Sequence, residues 1–100
     1  MKLEFHPEVL AEFEDAAKYY ATCRDNLELR FIAAIEAIFK PILEYPEWNR
    51  IIEDDIRFCL AHVFPYAVLY SIEPDSILVI AVMHCHREPG YWRHRVTRRS

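Results

Sequence analysis

The residues best suited to chemistry lie near the end of the chain, where an apolar run gives way to histidine, arginine and aromatic side chains. The stretch of residues 81–95 contains His84, His86, Arg87, Tyr91 and Trp92. Either histidine could exchange protons near neutral pH, and Arg87 could hold a phosphate through paired hydrogen bonds. Tyr91 and Trp92 could stack on a base. Cleavage of RNA through its 2′-hydroxyl needs a proton acceptor, a proton donor and a cation on the phosphate. These residue types therefore suit an endoribonuclease.

Arg57 is a second arginine that could contribute to such a site. It lies in a segment of alternating pattern, which sets it opposite Phe58, Leu60 and Phe64. If those three side chains pack on helices, Arg57 faces the open side of the sheet, where a groove would form. The nuclease hypothesis then gives catalytic roles to four residues: His84, Arg57, Arg87 and Tyr91.

The same residues also admit a purely structural interpretation. Arg87 could form a surface ion pair with Glu88 or Glu73, which contributes about 0–1 kcal/mol. Tyr91 and Trp92 could close the edge of the core, which is the commoner role of large aromatic side chains. The sequence leaves both interpretations open.

A metal site is the weaker alternative. His84, Cys85 and His86, together with Cys59 and His62, carry donor atoms that suit zinc. Adjacent residues of a strand point to opposite faces, so His84 and Cys85 cannot easily share an ion. Zinc-site spacing of the CxxC or HxxxH kind is missing from the sequence. Neither a metal nor a cofactor is therefore predicted.

Size and composition indicate one domain spanning residues 1–100. With 53% hydrophobic and 14% aromatic residues, the chain is not intrinsically disordered. No apolar run reaches the length of a membrane span, and residues 2–7 lack the apolar region of a signal peptide. The three cysteines form no CxxC pair, which indicates reduced thiols. These features predict a cytoplasmic protein with no membrane partner.

Charge is distributed unevenly along the chain. Residues 1–55 carry six cationic side chains and thirteen carboxylates, whereas residues 56–100 carry six arginines and three carboxylates. Arginine suits bidentate contact with phosphate or carboxylate. The net charge of -4 argues against non-specific binding to nucleic acid, which normally requires a basic surface.

Apolar periodicity predicts an α+β fold with the element order β-α-α-β-β-β. The expected elements are a strand at 2–5, helices over 8–21 and 27–42, and strands at 56–64, 67–72 and 77–83. The two helices should form a hairpin packed on one face of a small, mainly antiparallel sheet. The run at 77–83 is apolar on both faces, which indicates an interior strand. Residues 47–55 form an acidic connector, and residues 93–100 form a short helical extension or a flexible arginine-rich tail.

Particular residues set the limits of the second helix. Asp25 and Glu28 have the spacing of a capping box, which predicts the start of that helix. Pro41 lies inside the apolar stripe and predicts a kink or an end near residues 39–40. Pro46 marks the final end of the helix.

Three local signatures occur in order along the chain. The first is Ala16-Ala17-Lys18-Tyr19-Tyr20, and the second is Ile56-Arg57 followed by Phe64-Pro65-Tyr66-Ala67-Val68-Leu69-Tyr70. The third is Ala81-Val82-Met83-His84 with Arg87, Pro89 and Trp92, an H-x-x-R-x-P-x-x-W pattern. In their order and spacing over nearly the whole chain, they resemble the RelE/ParE superfamily of toxins from bacterial type II toxin–antitoxin modules.

The resemblance implies a small toxin that is neutralised when its cognate antitoxin wraps it, in a toxin–antitoxin hetero-oligomer. RelE-like members cleave mRNA at the ribosome, and ParE-like members poison DNA gyrase. The FPYxxxY run and the early Tyr19-Tyr20 pair look closer to the ParE-like members. The strand at 57–63 often carries more than one basic residue in the superfamily, whereas here Arg57 has no second arginine beside it.

The ParE-like interpretation treats the protein as a binding module that needs no proton transfer. The resemblance then assigns contact with the target to five residues: Arg57, Arg87, Trp92, Arg93 and Arg95. Two alternatives stay open, a RelE-like endoribonuclease and a degenerate toxin that only binds its antitoxin.

Overall fold

The computed structural model describes residues 1–96, and its first half is a short strand followed by a helical hairpin. The elements are β1 (Lys2–Phe5), α1 (Pro7–Cys23) and α2 (Leu27–Glu44). Pro7 occupies the first helical position, where its missing N–H is not needed. The His6 side chain accepts a hydrogen bond from the Glu8 amide at 3.1 Å and so caps α1. The predicted strand and hairpin are confirmed.

The second half forms the rest of a five-stranded sheet. Its strands are β2 (Ile51–Glu53), β3 (Ile56–Leu60), β4 (Tyr66–Ile72) and β5 (Ser76–His84), followed by a 3₁₀ turn at Arg93–Arg95. The strand order is β1-β5-β4-β3-β2, with β1 parallel to β5 and the other pairs antiparallel. The α+β class and the interior position of β5 are confirmed. The acidic connector, however, contains β2, a strand that the sequence did not predict.

Both faces of the sheet are covered. The helices bury Phe31, Ile35 and Ile42 against Val68 and Val79 on one face. On the other face a smaller apolar cluster gathers around side chains that include Ile56, Leu69, Ile80 and Trp92. Tyr91, Trp92 and Val96, which follow β5, therefore help to complete the second face.

The boundaries of α2 differ from the predicted ones. The residue that precedes the helix is Asn26, which has a φ of 65° and makes no side-chain capping hydrogen bond. Asp25 lies one residue too early to cap, so the predicted capping box is wrong. The helix also continues through Pro41, so the alternative of an end near residues 39–40 is wrong, and it ends at Glu44, before Pro46 as predicted. Proline removes one helical hydrogen bond, but continuation buries Ile42 completely.

The strand that contains Arg57 is shorter than the predicted segment at 56–64. β3 ends at Leu60, and Val63 takes a φ of 77° in the turn toward β4. A positive φ is unusual for a β-branched residue and marks the turn as a tight one. No helix among residues 1–96 is long and apolar enough to cross a membrane.

Candidate functional site

A cavity of about 450 Å³ opens between α1 and the end of β5. Its α1 side carries the carboxylates of Glu8, Glu12 and Asp15. Its other side carries His84, Arg87 and Arg95. Val82, Tyr66 and Tyr19 complete the lining. The cavity therefore places acidic and cationic groups face to face.

The cavity exists because β5 is longer than its neighbour β1. Their pairing ends at Phe5 and Val79, after which the chain turns into α1 while β5 continues to His84. Two side chains bind the edge that β1 leaves uncovered. Glu12 accepts a hydrogen bond from the Val82 amide at 2.9 Å, and Arg95 donates to the Ile80 carbonyl at 3.1 Å. These contacts satisfy backbone groups that a longer β1 would otherwise pair.

Glu12 and Arg95 also form a buried ion pair. The Arg95 Nη1 atom lies 2.8 Å from Glu12 Oε1, and Arg95 is only 7% exposed. The Tyr91 hydroxyl donates to the other carboxylate oxygen of Glu12. Burial, followed by this hydrogen bond, raises the pKa of the Tyr91 phenol above its usual value. Tyr91 is therefore a neutral hydrogen-bond donor at physiological pH.

Arg87 and His84 occupy the open side of the cavity. The Arg87 guanidinium lies over the Tyr91 ring, 3.8 Å from its centroid, and the residue is exposed. His84 packs edge-on against Tyr66, with ring centroids 5.1 Å apart. Its Nδ1 atom accepts a hydrogen bond from the His86 amide at 3.0 Å. The accepted bond fixes the tautomer of the neutral ring and leaves Nε2 as the nitrogen that carries its proton.

Arg57 does not join this group. An open-face position of Arg57 required Phe58 to pack on the helices. Phe58 packs instead in the apolar cluster on the second face of the sheet. Arg57 instead donates from Nη1 to the carbonyls of Glu47 and Asn49, at 3.0 and 2.6 Å. In the pairing of β3 with β4, Arg57 lies opposite Tyr70. In the pairing of β4 with β5, His84 lies opposite Tyr66, four residues away along β4. Four residues of strand span about 13 Å. Arg57 is therefore separated from the cavity that His84 and Arg87 line, a relation that the sequence left open.

The remaining predicted contact residues are mostly engaged within the molecule. Trp92 is 4% exposed in the second apolar cluster. Arg93 donates to both carboxylate oxygens of Glu53, at 2.6 and 2.7 Å. Arg95 is buried with Glu12. Arg87 differs from these three residues, because its guanidinium lies on the Tyr91 ring on one side and the residue is exposed to solvent. The final part of the predicted tail, residues 97–100, lies outside the described residues.

Glu12 is the site residue that the sequence did not reveal. Its place on the polar stripe of α1 predicts a solvent-facing side chain, whereas the structure turns it toward β5 and Arg95. No local signal could have identified it, because its partners lie at least 70 positions away.

The structure gives little support for a reactive thiolate at Cys59 or Cys85, or for a metal site. Burial raises the pKa of the Cys59 and Cys85 thiols, so both are protonated at neutral pH. Within residues 1–96, no three His, Cys, Asp or Glu side chains group closely enough to hold a metal ion.

Comparison with known proteins gives a family and a fold. A family model described as the ParE toxin of the type II toxin–antitoxin system parDE matches residues 3–89. Among solved structures, a chain of the chromosomal ParDE TA system from P. aeruginosa is similar with a TM-score of 0.76 and 15% identity. The match covers 84% of this chain and 95% of that one. A search of the curated proteins found no match.

Proposed function

Because the chain belongs to the ParE toxin family of type II toxin–antitoxin systems, we propose that it arrests growth by binding and inhibiting DNA gyrase, without catalysing a reaction. The observation that carries this proposal is that two of the four nuclease candidates are committed to contacts within the fold. Arg57 is bonded to backbone carbonyls across the sheet, and the Tyr91 hydroxyl is bonded to Glu12. Of the four candidates, only His84 and Arg87 line the open cavity. These two do not supply all three groups that RNA cleavage needs.

Electrostatics at the cavity support the same choice. Glu8, Glu12 and Asp15 line the wall opposite Arg87. A phosphate backbone entering the cavity would meet these carboxylates, and RNA affinity depends strongly on cationic contacts. A protein surface that offers its own cations meets no such penalty. Gyrase as the target places the protein in the bacterial cytoplasm.

Arg87 is the residue we assign to target contact. Its guanidinium rests on the Tyr91 ring, which limits its motion before binding. Tyr91 is itself fixed by Glu12. Arginine held on an aromatic ring is a common anchor in protein interfaces, because it combines apolar contact with several hydrogen-bond donors.

Inhibition of supercoiling by purified protein tests the gyrase proposal. We expect the wild-type chain to inhibit gyrase and Arg87→Ala to weaken inhibition by about tenfold or more, as loss of an interface anchor would. Arg30→Ala is the matched control, since Arg30 is another exposed arginine but lies on α2. No inhibition at a stoichiometric excess of the wild-type protein would contradict the proposal.

We further propose that the cognate antitoxin neutralises the toxin by occupying an apolar groove between α1 and α2. The groove has a volume of about 140 Å³ and is lined mainly by Phe5, Val9, Leu10, Phe13, Ile35 and Phe39. Leu10 is 59% exposed at its rim. The apolar face of an amphipathic helix fits a groove of this kind. Glu36 at the groove favours an antitoxin helix with a basic flank.

Titration with the protein encoded beside this gene tests the groove. Leu10→Lys places a charge where the antitoxin would bury apolar surface, so we expect an affinity loss of about tenfold or more. Leu29→Lys is the control, because Leu29 is equally exposed, at 58%, on α2. Equal affinities of the two variants would place the antitoxin elsewhere.

A RelE-like endoribonuclease remains the second candidate. One observation favours it: His84 and Arg87 line one cavity, and Arg87 lies over the Tyr91 ring. That reaction would require His84 to exchange a proton through Nε2. If the protein cleaves mRNA, His84→Ala should abolish cleavage while leaving the fold intact; unchanged cleavage would exclude this role.

A further inference from the structure

An exposed pair of aromatic residues lies on the segment between α2 and β3. No residue of this segment lines the antitoxin groove or the cavity. The Tyr45 and Trp48 rings stack with centroids 4.2 Å apart and planes 12° from parallel. Trp48 is 78% exposed, and Ile51 and Ile52 on the neighbouring β2 are exposed as well. We call residues 44–55 the acidic edge.

The acidic edge is held firmly to the sheet. Arg57 binds the carbonyls of Glu47 and Asn49, which flank Trp48. The Tyr70 hydroxyl donates to the Pro46 carbonyl at 2.6 Å and accepts from the Asn49 side chain at 3.2 Å. Exposed apolar side chains on a fixed segment lose little conformational entropy on binding. The arrangement thus presents the aromatic pair in a form prepared for a partner.

The charge of the acidic edge indicates the chemistry of that partner. Residues 44–55 contain five carboxylates and one arginine, a net charge of -4 that equals the charge of the whole chain. Arg93 neutralises Glu53, whereas Glu44 and Glu47, which directly precede Tyr45 and Trp48, occupy exposed positions. Carboxylates beside stacked aromatic rings attract Lys and Arg side chains, through ion pairing and through cation–π contact.

The position of β2 indicates the conformation of the partner. β2 is the last strand in the sheet order, and among residues 1–96 no strand pairs with its outer side. An edge strand can accept an extended segment by main-chain hydrogen bonding. A second copy of this chain would bring two negatively charged edges together, which like-charge repulsion disfavours.

We propose that the acidic edge binds an extended, Lys/Arg-containing segment of a partner protein as an added strand on β2. One cationic side chain of the segment lies over the Tyr45–Trp48 pair, and alternate side chains reach Ile51 and the carboxylates. This site goes beyond the proposed function and does not depend on it. The antitoxin groove lies beside β1, at the opposite edge of the sheet, so both sites can be occupied together.

A fluorescein-labelled peptide of alternating Arg and Thr residues is the probe for this site, with binding followed by fluorescence anisotropy. We expect saturable binding below about 1 mM and a loss of about tenfold or more in Trp48→Ala. Leu29→Ala is the control, because Leu29 is an exposed apolar residue on α2 that lines neither the cavity nor the antitoxin groove. It should bind as the wild type does.

Two further peptides separate strand addition from simple charge attraction. Replacing Arg by Glu in the peptide should abolish binding. Methylation of alternate backbone nitrogens keeps the charge but removes the hydrogen-bond donors of an added strand, so this peptide should also bind about tenfold more weakly or worse. Equal binding of the methylated peptide, equal binding by Trp48→Ala, or no binding of the Arg–Thr peptide would overturn the proposal.

Discussion

The Glu12 carboxylate joins three parts of the molecule that are distant in sequence. It accepts hydrogen bonds from the Val82 amide and the Tyr91 hydroxyl, and it pairs with Arg95. A buried charge loses its hydration, so each of these donors is needed to offset that cost. The same contacts hold Tyr91 beneath Arg87, which connects the stability of the fold to the presentation of the proposed contact residue.

Removing the Glu12 carboxylate should therefore destabilise the whole domain. Glu12→Ala removes the closer of the two carboxylates that pair with the buried Arg95 and leaves Glu8, at 3.5 Å from Nε. We expect a loss of about 3 kcal/mol in the free energy of unfolding, measured by urea denaturation. Glu14→Ala is the control, because Glu14 is exposed two residues away. A loss no larger than that of the control would show that the buried pair contributes nothing net.

The candidate site could be predicted in part at the scale of single residues. His84, Arg87 and Tyr91 lie within eight positions of one another, and local spacing was enough to bring them together. The face of Arg57 was expected only on the condition that Phe58 packs on the helices, because alternation separates two faces without saying which one the helices cover. That condition is not met. Glu12 could not be found, since its partners come from the far end of the chain.

The helices and long strands follow from hydrophobic periodicity, whereas β2 does not. Ile51–Glu53 has only three residues and lies in an acidic stretch. It forms a strand because β3 supplies the pairing partners, and it is joined to the C-terminal turn by the Arg93–Glu53 ion pair. Such an element depends on tertiary contacts that the local sequence does not encode.

The contact between β2 and the C-terminal turn should depend on pH. The hydrogen bond from Arg93 holds the pKa of Glu53 below its ordinary value, against a smaller opposing effect of desolvation. A carboxylate with a depressed pKa stabilises the fold fully above its unfolded value, about 4.3, and loses that contribution as the pH falls through the folded value. The stabilisation is therefore present at pH 7 and lost in acid.

Thermal unfolding of Glu53→Gln at different pH values tests this dependence. The variant should melt below the wild type at neutral pH, and the difference should shrink as the pH is lowered through about 4. Glu14→Gln, at an exposed position on α1, should show no such trend. A difference between Glu53→Gln and wild type that does not change with pH would contradict the assignment.

At the scale of the whole molecule, the order of elements and three short motifs were sufficient to identify the toxin family, and the family model covers residues 3–89. The cellular target is harder to predict than the family, because one fold can carry unrelated activities and function depends on the site. Here the site shows an exposed arginine above a fixed ring and carboxylates opposite it. That arrangement suits the binding of a protein better than the cleavage of RNA.

Expression of the chain without its antitoxin, with DNA breaks and mRNA integrity followed in the same cultures, tests the central claim most directly. A gyrase poison traps gyrase on broken DNA, so we expect growth arrest with DNA breaks and intact mRNA, relieved when the adjacent reading frame is expressed as well. Arrest with cleaved mRNA and unbroken DNA would contradict the account and make His84 and Arg87 catalytic residues of an endoribonuclease.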